Sequence, residues 1–73
     1  MKIKFSRHAR RQMKWRKIPE KDIREALNSP EKSEDTVKGR KNAFKTIEGR
    51  LIKVTYLPQN NESLVVTAIV KGE

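Results

Sequence analysis

None of the 73 residues is cysteine and only one, His8, is histidine, so neither a disulfide framework nor a structural zinc site is expected. The expected cofactor and metal complement is none. Aromatic residues are also scarce, with one Trp, one Tyr and two Phe, which leaves the core to aliphatic side chains. A domain near this size buries only about 60% of its unfolded surface, so dimerisation or an ordered partner would add stability. No apolar run is long enough for a signal peptide or a membrane crossing, which makes the cytoplasm the expected location and excludes a membrane partner. Glycine and proline number three each, and no repeat, low-complexity tract or linker divides the chain. Residues 1–73 read as one domain.

The most informative absence is that of acid. Residues 1–19 contain no Asp or Glu, and the first seventeen hold eight of the eighteen basic side chains: Lys2, Lys4, Arg7, Arg10, Arg11, Lys14, Arg16 and Lys17. The other fifty-six residues carry ten basic and nine acidic groups, so the net charge of +9 is concentrated at one end. Like charges crowded on a short segment repel, and a polyanion that neutralises them is the natural partner.

Lys2 to Phe5 alternates polar and apolar residues, the pattern of a short half-buried strand. Ser6 is placed to cap a helix from Arg7 to about Lys17. On that helix Ala9 and Met13 face inward, with Gln12 and Arg16 beside them. His8, Arg11 and Trp15 form a second stripe, and Arg7, Arg10, Lys14 and Lys17 cover the remaining side. A second helix is predicted from Glu20 to Asn28, with acids in its first turn, a staple between Ile18 and Ile23 around Pro19, and a core stripe of Ile23, Ala26 and Leu27. Residues 31–41 read as a loose strand or loop, in which Glu34-Asp35 is a solvated turn rather than a metal site. Ala43 to Ile47 and Arg50 to Leu57 flank Glu48-Gly49 as a hairpin. After a turn over Pro58 to Ser63, the apolar run Leu64 to Val70 reads as the central strand. The order β-α-α-β-β-β predicts an α+β fold, two N-terminal helices packed on one face of a mostly antiparallel sheet.

Ser6-Arg7-His8-Ala9, followed by Met13, Arg16 and Ile18 and then by Ile23, Leu27 and Pro30, resembles an uncharacterised family of small prokaryotic proteins grouped with the RelE/ParE toxin-like superfamily. Val54-Thr55-Tyr56 and Val66-Thr67 fit the same layout, so the resemblance covers nearly the whole chain. It implies a single RelE/ParE toxin-like domain and a link to toxin–antitoxin systems, whose better-known members cut mRNA on the ribosome without a metal. The chain departs from the pattern in having Lys17 where many members have glycine, and Pro19 where they have a hydroxyl cap. RNA-cutting relatives also place a catalytic His or Tyr near their end, whereas this chain finishes Ile69-Val70-Lys71-Gly72-Glu73.

Metal-free RNA cleavage needs a base for the 2′-OH, an acid for the leaving oxygen and cations for the charge on phosphorus. Imidazole is the side chain that exchanges a proton near neutral pH, so His8 is the candidate acid/base and Arg11, one turn on, the candidate transition-state cation. Arg16, Arg50, Lys53 or Tyr56 would complete a site if the fold gathers them. The plainer reading makes His8 an ordinary helix-start residue. Trp15 reads either as core or subunit interface, or as a platform for an unpaired base. Arg16 reads as structural, needing a buried carboxylate such as Glu25 or backbone carbonyls.

The expected nucleic-acid-binding residues are Arg7, Arg10, Lys14, Trp15, Lys17, Arg40 and Lys41, the last two extending the patch with Lys38 and Lys45. The expected function is an RNA-binding toxin-like protein acting as a metal-independent endoribonuclease, with RNA favoured over DNA. The alternatives are a non-catalytic nucleic-acid-binding or regulatory module, and a basic domain that docks an acidic antitoxin-like protein. A homodimer is a further expected assembly.

Overall fold

The computed structural model describes residues 2–72. Its elements are β1 (Lys2–Phe5), α1 (Arg7–Arg16), α2 (Glu20–Asn28), β2 (Lys32–Asp35), a 3-10 turn (Val37–Gly39), β3 (Lys41–Ile47), β4 (Arg50–Gln59) and β5 (Glu62–Val70). Among the described residues the fold is α+β, with two α-helices and a five-stranded mixed sheet in the order β1-β5-β4-β3-β2. β1 pairs with β5 in parallel, and the other three pairings are antiparallel.

The order of helices and strands expected from the sequence lacked one strand. β2 is Lys-Ser-Glu-Asp, fully exposed and without alternation, and it exists because it pairs with β3 from Lys32 opposite Phe44 to Asp35 opposite Lys41. Glu34-Asp35 therefore lies in an edge strand rather than a turn. A short, charged strand is also a physical guard against further pairing at a sheet edge. The long apolar strand β5 is interior, but β4 is the middle of the five.

Local chemistry explains the two hairpins. Glu48 (φ 51°) and Gly49 (φ 81°) both take positive φ between β3 and β4, the conformation whose twist suits a two-residue connection. Asn60 and Asn61 link β4 to β5, and Asn61 (φ 59°) takes the left-handed position that asparagine tolerates. Pro58 lies inside β4, beyond the end of its pairing with β3, where its missing N–H removes no bond from that ladder.

Thr55 pairs with Thr67 but Tyr56 with Val65, so Val66 is the extra residue of a bulge. Burial on β5 accordingly shifts phase, from Ser63 and Val65 to Ala68 and Val70. β1 ends at Phe5 opposite Val65, and the exposed edge of β5 beyond it is taken over by α1. The Ser6 N–H donates to the Val65 carbonyl at 2.9 Å, and the Ser6 hydroxyl to the Val66 carbonyl at 3.3 Å. The Gln12 side-chain oxygen accepts the Ala68 N–H at 3.2 Å.

α1 packs on β5, and α2 on β3 and β4. Ala9, Met13, Ile18, Ile23, Ala26 and Leu27 from the helical half join Ala43, Ile52, Val54, Val65, Ala68 and Val70 in one core. Ile23, Ile52, Val54 and Val65 are its largest fully buried members.

Candidate nucleic-acid interface

α1 starts where Ser6 Oγ accepts the Ala9 N–H at 3.0 Å, the cap expected from the sequence. It ends in a Schellman motif. Lys17 is left-handed (φ 56°, ψ 49°), its N–H meets the Lys14 carbonyl at 3.3 Å, and the Ile18 N–H meets the Met13 carbonyl at 2.8 Å. Arg50 closes the same end from the sheet, donating from Nη1 to the Arg16 carbonyl at 2.9 Å and from Nη2 to the Lys17 carbonyl at 3.2 Å. A guanidinium at a helix C-terminus also complements the dipole.

Ala9 and Met13 are buried, and Gln12 and Arg16 beside them are half-buried. Arg7, His8, Arg10, Arg11, Lys14, Trp15 and Lys17 are all exposed. No acid occupies the first turn of α1, and Arg7, Arg11, Lys14 and Lys17 have no ion-pair partner among the described residues. Arg10 meets a carboxylate, Glu20 of α2, at 3.8 Å, while its guanidinium lies 4.9 Å from the centroid of the Phe5 ring. Sequence reasoning missed both partners. Glu20 is the first acid after the basic run, and that was the available signal.

Trp15 is 76% exposed, which overturns its reading as a core residue. It follows Met13 by two residues, about 200° around the helix, so it points away from the core that Met13 enters. The Arg16 guanidinium lies 5.0 Å from the Trp15 ring centroid, within cation–π range. Arg16 itself is half-buried, and Glu25, the carboxylate the sequence offers it, is exposed.

His8 and Arg11 lie one turn apart on the open face of α1, and the His8 ring has no hydrogen-bond partner among the described residues. Of the residues that would have completed a catalytic group, Arg16, Arg50 and Lys53 do not join them. Arg16 is eight residues down the helix, about 12 Å along its axis, and Arg50 caps that same far end. Tyr56 packs against the core. Lys53 pairs across strands with Phe44 and Ile69, alternating with the core residues Ile52 and Val54 and so facing away from them.

Arg40 and Lys41 are exposed but do not extend the α1 patch. They stand at the start of β3, two strands from the β5 on which α1 packs, a separation of about 10 Å across the sheet alone. Lys41 is engaged with Asp35 at 3.5 Å. Lys38 stands in the neighbouring 3-10 turn, while Lys45 is half-buried opposite Ile52, about 13 Å along β3 from Lys41. Among the described residues there is no group of three His, Asp or Glu side chains suited to hold a metal ion, and no helix long and apolar enough to cross a membrane.

Residues 5–70 match the model of a domain of unknown function, DUF4258, so the chain belongs to that family. No curated protein and no solved structure matches the chain.

Proposed function

We propose that this domain binds RNA through the exposed face of α1. The carrying observation is that Arg7, Arg10, Arg11, Lys14 and Lys17 emerge from one helix that has no acid of its own, with Trp15 at 76% exposure beside them. The like-charge pairs Arg7/Arg11 and Arg10/Lys14 each cost the helix about 0.2–0.5 kcal/mol, and Arg7 sits where the helix dipole prefers an anion. Phosphates reverse the sign of both effects. An exposed indole next to a cationic row suits a single strand, since it can stack an unpaired base for about 1–3 kcal/mol.

The same reading places the domain in the cytoplasm as a RelE/ParE-like protein of a toxin–antitoxin system, where an acidic antitoxin would cover the basic face. It takes both helices to lie against one face of the sheet. Ala43, Val54 and Ala68 are cross-strand partners, as are Ile52 and Val70, and all five share the core with α1 and α2. The opposite face, with half-buried Phe44, Leu64 and Ile69, is then the surface a homodimer would use.

Cleavage is the stronger form of the proposal, with His8 as acid/base and Arg11 stabilising charge on phosphorus; both are exposed and within one turn. The test incubates the protein with a structured RNA at low salt in EDTA, beside His8→Ala, and follows retention and cleavage together. His8-dependent cleavage establishes the nuclease. Retention of intact RNA leaves a binding module, and the absence of both overturns the RNA reading in favour of an acidic protein partner.

A further inference from the structure

The basic side chains of α1 divide into two groups. Arg7 and Arg11 occupy the crest of the helix, whereas Arg10, Lys14 and Lys17 line an open hollow of about 540 Å³ where α1 meets α2, against Met13 and Ile18. Glu20 lines it too. Arg10 is preset by two contacts, the Phe5 ring at 4.9 Å and the Glu20 carboxylate at 3.8 Å. Lys17 stands at the left-handed residue that ends α1, a position glycine fills without strain and a lysine fills at a cost of about 1 kcal/mol or more. The turn that ends α1 thus carries the Lys17 side chain to the rim of a cationic hollow.

We infer that this hollow seats a phosphate monoester, the terminal phosphate of an RNA chain, held by Arg10, Lys14 and Lys17, with Glu20 as the internal carboxylate that the phosphate displaces from Arg10. The inference rests on the RNA-binding reading of α1 and specifies which part of the chain this end of the helix takes. Three cations and one carboxylate leave two uncompensated positive charges at the hollow. A monoester carries about −1.5 to −2 at pH 7 and offers three free oxygens to three donors. A backbone diester carries one charge and two free oxygens, and is served as well by the crest arginines. Glu20 offsets part of the repulsion among the three cations while the hollow is empty. Its ion pair with Arg10 is half-exposed on both sides and is therefore weak enough for a phosphate to replace.

The test compares one short single-stranded RNA with a 5′-phosphate, with a 3′-phosphate and with hydroxyls at both ends, by fluorescence anisotropy at low salt. A phosphorylated form is expected to bind about tenfold tighter than the hydroxyl form, the size of one charge-assisted contact. Lys17→Gly, which keeps the left-handed turn and removes only the cation, is expected to abolish that advantage. Glu20→Gln is expected to raise affinity for the phosphorylated RNA by about threefold. If all three RNAs bind alike, the phosphate seat is wrong and RNA binding stands. If none binds, the RNA reading fails, and titration with inorganic phosphate followed by amide chemical shifts decides the seat. Shifts confined to residues 10–20 and lost in Lys17→Gly retain it as a site for free phosphate, and no shifts overturn it.

Discussion

Lys17 and Gln12 are two residues whose work is set by a single backbone feature each. Lys17 holds φ at 56° to end α1, where its Cβ is strained. Lys17→Gly is expected to stabilise the domain by about 1 kcal/mol, read in urea unfolding as a higher midpoint with an unchanged slope. Lys17→Ala, which keeps the Cβ, is expected to give no such gain. Gln12 supplies the acceptor for the Ala68 N–H at the open edge of β5, a bond that the bulge and the early end of β1 leave to a side chain. Gln12→Ala is expected to cost about 1–3 kcal/mol, with faster hydrogen exchange at the Ala68 amide than at Val54. Unchanged exchange at Ala68 would show that water replaces Gln12 without loss. Trp15 carries the residue-scale lesson about the sequence. Its angular distance from Met13 already placed it outside, but the general tendency of tryptophan to be buried argued the other way, and geometry prevailed.

Element by element, the tension lies in α1. It is well ended, by the Ser6 hydroxyl at one terminus and by the Schellman turn and Arg50 at the other, yet its exposed face is electrostatically unfavourable along its length. Binding and stability are therefore expected to oppose each other here. Arg7→Glu puts an acid in the first turn and turns the Arg7/Arg11 repulsion into an i, i+4 attraction, which is expected to stabilise the domain by about 0.5–1 kcal/mol while weakening RNA binding. A thermal melt and a binding isotherm on the same variant check it, and loss of both stability and binding would place Arg7 in the fold rather than at the interface. Both helices, the Glu48-Gly49 hairpin and the long apolar strand were legible because each is written in neighbouring residues: a hydroxyl cap, a staple of Ile18 and Ile23 about Pro19, a glycine with positive φ. β2 was not, because Lys32–Asp35 has neither alternation nor apolar content and is defined by the register of β3.

At the scale of the whole molecule, the charge is polarised rather than spread. α1 lies along β5 toward one side of the sheet, and the second basic group, around Arg40 and Lys41, lies on the other side beside Asp35 and Glu34. RNA affinity is accordingly expected to follow the α1 cations alone. With about five phosphate contacts, the logarithm of the binding constant falls with the logarithm of salt at a slope of about −3.5 on a single strand. Arg40→Gln and Lys41→Gln are expected to leave that slope unchanged, while Lys14→Gln lowers its magnitude by about one contact's share, about 0.7. A slope altered equally by all three would mean that one polyanion spans both sides of the sheet.

The sequence by itself determined the local features: where α1 and α2 begin, which of their residues turn inward, where β3 turns into β4, and that the basic charge gathers on α1, since each depends on residues within a few positions of one another. Only the tertiary structure decided that β1 lies parallel to β5, that Gln12 serves a strand edge fifty-six positions away, that Arg50 joins the Schellman turn in closing the end of α1, and that Arg40 and Lys41 stand apart from the α1 cations. Those contacts are made between segments remote in sequence, and strand order and register, which no local pattern records, bring them together or hold them apart.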